Sequence, residues 1–315
     1  MALPNVALAR RLAPLVFLAL LPATMPAQQQ PAPAPKVDII TPHLGDAHEV
    51  DLPWITPSTG FIYVYHLPEL PPVRIGNVSI NFSPTKHVVM LLLASALCIL
   101  TLTSAARWHT KHLNEPAAPR GFSAGIEAMV LYLRQTVVLP NVGPHPDAYT
   151  PFILTLFFFI LFANLIGMIP YGSSPTSNIS VTAALALMSF VVVEVSGIRA
   201  LGKKYWSTIF YWNHDLALPI RLILFLIMTP IEIVSKLTKP FALTIRLFAN
   251  MTAGHVVLLV LISLIFTFHS ILVAPAPVAL AIGVSFLELF VAFLQAFVFA
   301  LLTAVFIGQI RQAAH

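Results

Sequence analysis

The chain has 315 residues, 58% of them hydrophobic and 9% charged, and its mean hydropathy of +0.86 excludes an ordinary soluble domain and marks an integral membrane protein. The formal net charge is +5, but the basic residues lie scattered between apolar runs, which excludes a nucleic-acid surface and fits cations held on the cytoplasmic side. A single cysteine, Cys98, excludes an internal disulfide and any cysteine-based zinc site.

In chain order, Arg10 and Arg11 precede the apolar stretch Leu12 to Leu21, and small residues follow at Ala23 to Ala27. This is the pattern of a signal peptide over residues 1–27, too short to span, with an uncleaved anchor as the alternative. Residues 28–84 are Pro-rich and polar and read as an extracytoplasmic extension, part linker and part small hairpin, with β-prone pieces at Phe61 to Tyr65 and Val78 to Phe82. The membrane domain, 85–315, begins with a span over 87–106, and Arg107, His109, Lys111 and His112 after it mark the cytoplasmic side. Residues 121–139 set Ile126, Met129, Val130 and Leu133 on one stripe, with Glu127 and Arg134 elsewhere, which predicts an amphipathic helix at the interface. Spans over 151–170 and 179–198 follow, the second leading to Arg199, Lys203 and Lys204.

From Leu216 to Phe268 the chain is apolar and helix-compatible, and as one helix it would measure nearly ~80 Å against a hydrocarbon core of ~30 Å. Pro219, Pro230 and Pro240 are therefore read as breaks, giving an interfacial segment over 216–236 and a tilted span over 240–268. The last run, 276–310, is ~50 Å long if helical and is expected to tilt as well. The fold class expected is an all-α integral membrane protein with about five transmembrane helices and an amphipathic interfacial helix, the last two helices long and strongly tilted. The mature N-terminus would be extracytoplasmic and the C-terminus cytoplasmic; making 216–235 a separate span would invert the C-terminus.

Between Pro240 and Ile310 the only formally charged residues are Arg246 and Glu288, joined by His255 and His269. A guanidinium does not shed its proton, and a charge near the bilayer centre costs about 3 kcal/mol even by insertion scales. Arg246 is therefore expected to face a protein partner or an aqueous cavity. At 100° per residue Asn250 shares its face, whereas His255 falls almost opposite. Glu288 and Gln295, seven residues apart, line up on one face about 10 Å apart along the last helix. Bland readings stand beside these: Glu288 as a buried neutral acid, His255 as a hydrogen-bonded core histidine, and Glu232 as an i+4 partner for Lys236. His109 and His112 have no carboxylate or cysteine near them in sequence, so no metal site is expected, and neither a P-loop nor a G-x-S-x-G motif occurs. No cofactor is expected.

The run Arg246-Leu-Phe-Ala-Asn250-Met-Thr-Ala-Gly254-His255 closely resembles subunit a of rotary F-type ATP synthases. The resemblance extends to Asn164-Leu-Ile-Gly-Met-Ile-Pro170, to Thr176 through Leu185, to Pro230-Ile-Glu232 with Lys239-Pro240, and to Phe293-Leu-Gln295-Ala-Phe297-Val-Phe299. It implies a non-catalytic, proton-translocating subunit of a bacterial inner membrane, whose last two helices embrace a ring of small c subunits that each bear one carboxylate. It also implies contact with the subunit b peripheral stalk and, indirectly, with the catalytic head. By match to the family pattern, Arg246 would face the passing ring carboxylate and separate two aqueous half-channels. Asn250, Gln295 and Asn164 match polar positions near the path, Glu232 an acidic position at the cytoplasmic outlet, and His255 with Glu288 the inlet pair. Many bacterial members carry Glu at the position of His255 and His at that of Glu288; the exchange here keeps one acid and one imidazole, which suggests a coupled pair. Ala249 replaces a glycine common in bacterial members, and Gly167 stands where some have Asp. The competing readings are a secondary transporter or ion channel that uses Arg246 for an anionic substrate, and a purely structural scaffold. A transporter should show inverted repeats with broken helices in matching halves, and the sequence shows none.

Overall fold

The structure is a computed structural model that describes residues 49–52, 63–68, 71, 73–75, 78–80, 83–111, 121–169, 173–210, 217–268, 272 and 274–312. The signal-peptide expectation, much of the 28–84 extension, His112 and His269 lie outside the described residues. Within the extension, β1 (Glu49–Leu52) pairs antiparallel with β2 (Tyr63–His66), and β3 (Val73–Ile75) pairs antiparallel with β4 (Val78–Ile80). The two β-prone pieces thus belong to separate two-stranded ladders and do not pair with each other.

The rest is helical: α1 (Lys86–Lys111), α2 (Phe122–Leu133), a π-helical turn (Arg134–Val138), α3 (Leu139–Val142), α4 (Thr150–Gly167), α5 (Ile179–Leu201), a 3₁₀ segment (Gly202–Thr208), α6 (Leu218–Phe268) and α7 (Pro275–Gln312). Local signals fix several ends. Pro151 sits in the first turn of α4, where its missing N–H removes nothing. Asn178 caps α5 by accepting from Ser180 N at 2.9 Å, and Gly202, at φ 56°, ends it in a conformation a side chain would strain. Among the described residues, six helical stretches are long and apolar enough to cross a membrane, the sixth being Phe122–Val142, the stretch that contains the expected interfacial helix. The molecule is an all-α integral membrane protein.

One expectation changes. The structure holds 218–268 as one 51-residue helix with Pro230 and Pro240 inside it, where the sequence reading interrupts it. Each proline removes a single backbone bond, and the helix resumes when the surrounding donors are in place. The hydroxyls of Thr238 and Thr244 add bonds to the carbonyls of Val234 and Pro240, at 2.7 and 2.9 Å. At ~1.5 Å per residue this helix is about 77 Å long.

The core gathers where α4, α5, α6 and α7 meet the α2–α3 stretch. Ile153, Phe157 and Phe158 of α4 pack with Leu133, Val137 and Val142, with Leu243, Leu247 and Met251 of α6, and with Phe299 and Ile307 of α7. Along α7, Ala292, Ala296, Ala300 and Ala304 are fully buried at every fourth position, and small residues there let neighbouring backbones come close. At the end of α7, Arg311 Nη1 donates to Val142 O at 3.1 Å, with the guanidinium over the Tyr149 ring.

Candidate functional site

Helices α6 and α7 run antiparallel, and two polar bridges tie them. Asn250 Nδ2 donates to Gln295 Oε1 at 2.8 Å, and His255 Nδ1 shares a 2.6 Å hydrogen bond with Glu288 Oε1. The His255 and Glu288 side chains are 16% and 3% exposed, so the pair is largely withdrawn from the surface. Asn250 and His255 lie 140° apart on a helical wheel, yet both reach α7. Gly254 supplies the reason: a Cβ there would stand 2.9 Å from Glu288 Oε1 and 3.0 Å from Cδ, so the bare backbone lets the carboxyl lie across α6 toward His255. Glu288 Oε2 and Gln295 Nε2 are buried, and no described residue satisfies either atom.

Arg246 behaves differently. It is exposed on α6 and, among the described residues, has no hydrogen bond or ion pair. It lines an open cavity of about 350 Å³ with Lys239, Thr238, Leu243, Leu302 and Phe306. Lys239, Leu243 and Phe306 also line a neighbouring cavity of about 200 Å³, which contains Glu232, Glu194, Lys236 and Gln309. Arg246 thus stands between two polar regions: His255 with Glu288 about 13 Å away in one direction along α6, and Glu232 about 21 Å away in the other.

Asn164 is fully buried on α4 and spends its amide inside the fold. Its Nδ2 donates to Ala292 O at 3.2 Å and its Oδ1 accepts from Thr176 Oγ1 at 2.7 Å, so it binds α7 to the turn before α5. The alternative Lys236–Glu232 pairing is not made among the described residues. Lys236 instead bonds Glu194 Oε2 at 3.1 Å, contacts Tyr205 Oη at 3.4 Å and lies over the Tyr205 ring, while Tyr205 Oη donates to the same Glu194 oxygen. Glu194 and Tyr205 are the residues that sequence reading missed. A lone carboxylate in the apolar 179–198 run carries the signal that singled out Glu288, and applying it across every span finds Glu194. His87, buried on α1 and 3.2 Å from Ser173 Oγ, was missed as well.

The family model described as ATP synthase A chain matches residues 88–308. The chain belongs to the ATP synthase A chain family. It is 40% identical over 275 residues to ATP synthase subunit a of Chloroherpeton thalassium, covering 87% of this chain and 76% of that one. It is also 40% identical over 294 residues to ATP synthase subunit a of Myxococcus xanthus, covering 90% and 91%. A third relative, ATP synthase subunit a 2 of Chlorobaculum tepidum, is 44% identical over 244 residues, covering 77% of this chain and 66% of that one. Membership in the ATP synthase A chain family makes this a multi-pass membrane-sector subunit of an ATP synthase, working in a complex with other subunits and with lipid.

Proposed function

We propose that this subunit forms the stationary proton path of the membrane sector, offering two half-channels to a rotating ring of c subunits and so coupling proton flow to ATP synthesis. It carries no nucleotide chemistry itself. The observation that carries the reading is an exposed, permanently charged Arg246 without a partner among the described residues, set between two polar regions of a long apolar helix. Such a charge calls for an acidic group on whatever covers that face. In this reading His255 and Glu288 share the proton at the inlet, Asn250 and Gln295 extend the polar surface toward the ring, and Glu232 serves the outlet. Asn164 contributes by fixing α7 through Ala292. The protein resides in a bacterial inner membrane with its C-terminus cytoplasmic, contacts the subunit b stalk, and crosses with α6 and α7 steeply tilted.

Magnitudes fit this cycle. At an effective dielectric near 20, a ring carboxylate ~4 Å from the guanidinium gains about 4 kcal/mol, and 100 mV of membrane potential supplies about 2.3 kcal/mol per charge. The arginine can therefore hold a passing site ionised without locking the ring. In inverted vesicles, Arg246→Ala should abolish ATP-driven proton pumping in a complex that immunoblots as assembled, and should raise passive proton leak. Arg246→Lys should also fail, because an ammonium can lose its proton in a dry site. Pumping at wild-type rates by Arg246→Ala would overturn the reading in favour of a transporter or scaffold.

A further inference from the structure

The cavity around Glu232 poses an electrostatic problem. Lys236 lies one turn further along α6, the i+4 spacing at which a lysine normally pairs with a glutamate, and both residues line the same 200 Å³ space. Yet the ammonium is drawn elsewhere, to Glu194 of α5 and Tyr205 of the 3₁₀ segment, with the Glu194 and Lys236 side chains 15% and 13% exposed. Tyr205 is 7% exposed and contributes both its ring face and its hydroxyl, so the ammonium is held on two sides and the Glu194 oxygen on two sides. The second cation of the cavity, Lys239, is likewise engaged, with Nζ 3.4 Å from Gln309 Oε1 of α7 and 4.9 Å from the Phe306 ring centre. Glu232 has no bond or ion pair among the described residues.

We propose that Glu194 and Tyr205 are positioning residues that hold Lys236 away from Glu232 and so leave Glu232 a carboxylate without an ion partner among the described residues, in the passage leading to Arg246. This rests on the outlet role proposed above for Glu232. A fixed ammonium beside a carboxylate favours its ionised form and opposes proton uptake, so a carboxylate that relays protons works best without one. Among the described residues, the charged and amide side chains that line the cavity with Glu232 are Glu194 from α5, Lys236 and Lys239 from its own helix, and Gln309 from α7, with Tyr205 bound to Lys236. Releasing Lys236 would therefore bring it to the nearest remaining carboxylate.

The test measures ATP-driven proton pumping against external pH in inverted vesicles. It uses the assembled complex carrying Glu194→Gln, Lys236→Gln, or both, with Arg246→Ala alongside. Glu194→Gln frees the ammonium and should move the alkaline limb, where proton uptake by Glu232 fails, to lower pH by about one unit or more. The double variant lacks the Lys236 ammonium, while Lys239 keeps its contacts, and should return the limb to within a few tenths of a unit of the wild-type position. A structural role would lower the amount of assembled complex without moving the limb. An unmoved limb in assembled Glu194→Gln, or a double variant displaced as far as the single, overturns the proposal. Because Arg246→Ala is read in the same vesicles, its normal pumping would instead remove the outlet reading on which the proposal rests.

Discussion

Gly254 is the residue where local and functional demands separate most clearly. A helix interior favours alanine over glycine by roughly 0.5–1 kcal/mol, but a methyl group here would press on the Glu288 carboxyl at 2.9 to 3.0 Å and push it off its 2.6 Å bond to His255. Gly254→Ala should accordingly leave the melting temperature of the purified complex unchanged or slightly raised, while proton pumping falls several-fold. A fully active Gly254→Ala complex would mean that the His255–Glu288 contact is dispensable. The residues of this region differ in how far sequence exposes them. Arg246, Glu288 and His255 stand out because an ionisable group in an apolar run is costly enough to require a reason. The steric role of Gly254 depends on a residue 34 positions away and leaves no local mark. Glu194 carries a mark of the same kind as Glu288, a lone carboxylate in an apolar run, but its partners Lys236 and Tyr205 lie on other elements and leave no local mark.

At the scale of elements, α7 is positioned by what it lacks. Ala292, Ala296, Ala300 and Ala304 form a buried stripe that continues to Gly308, where an added Cβ would run into the carbonyl oxygen of Asn141 at the end of the α2–α3 stretch. The obstacle is backbone rather than a movable side-chain tip, so relief requires two helices to separate, and overpacking of this kind costs about 1–3 kcal/mol. Gly308→Ala is expected to reduce the amount of this subunit retained in membranes, measured by immunoblot against another subunit of the complex. Normal retention with normal pumping would show that the end of α7 is free to move. Runs of apolar residues announced most of these helices, since length and hydropathy are read directly from composition. Continuity through Pro230 and Pro240 was not announced, because a proline reports the loss of one hydrogen bond and not whether the neighbouring bonds carry the helix across. Nor does sequence report the π-helical turn Arg134–Val138, which inserts between α2 and α3 without any glycine or proline inside it.

For the whole molecule, the decisive asymmetry is between the two sides of the α6–α7 pair. One side is buried against α4 and α5; the other exposes Arg246, Ala249, Asn250 and Ala253 on α6 beside Phe290 and Leu294 on α7. Family and fold class were legible at this scale because the motif around Arg246 and the hydropathy pattern both survive in a single sequence. The packed and open sides were not, since each apolar residue of a membrane helix can face either protein or lipid. Small residues flanking a charge suit the close approach of another helix, which places the ring on this face in the proposed function. With the lone, buried Cys98 changed to Ser, cysteines introduced at Ala249 or Ala253 should form disulfides with a cysteine placed beside the ring carboxylate, since a disulfide needs Cα atoms within about 7 Å. A cysteine at Ala292, fully buried against α4, should not. Cross-links are to be scored by non-reducing electrophoresis in complexes that still pump before oxidation. Disulfides at Ala292 with none at Ala249 or Ala253 would put the ring on the opposite side of the hairpin, leaving Arg246 without the acidic partner that its exposed charge requires.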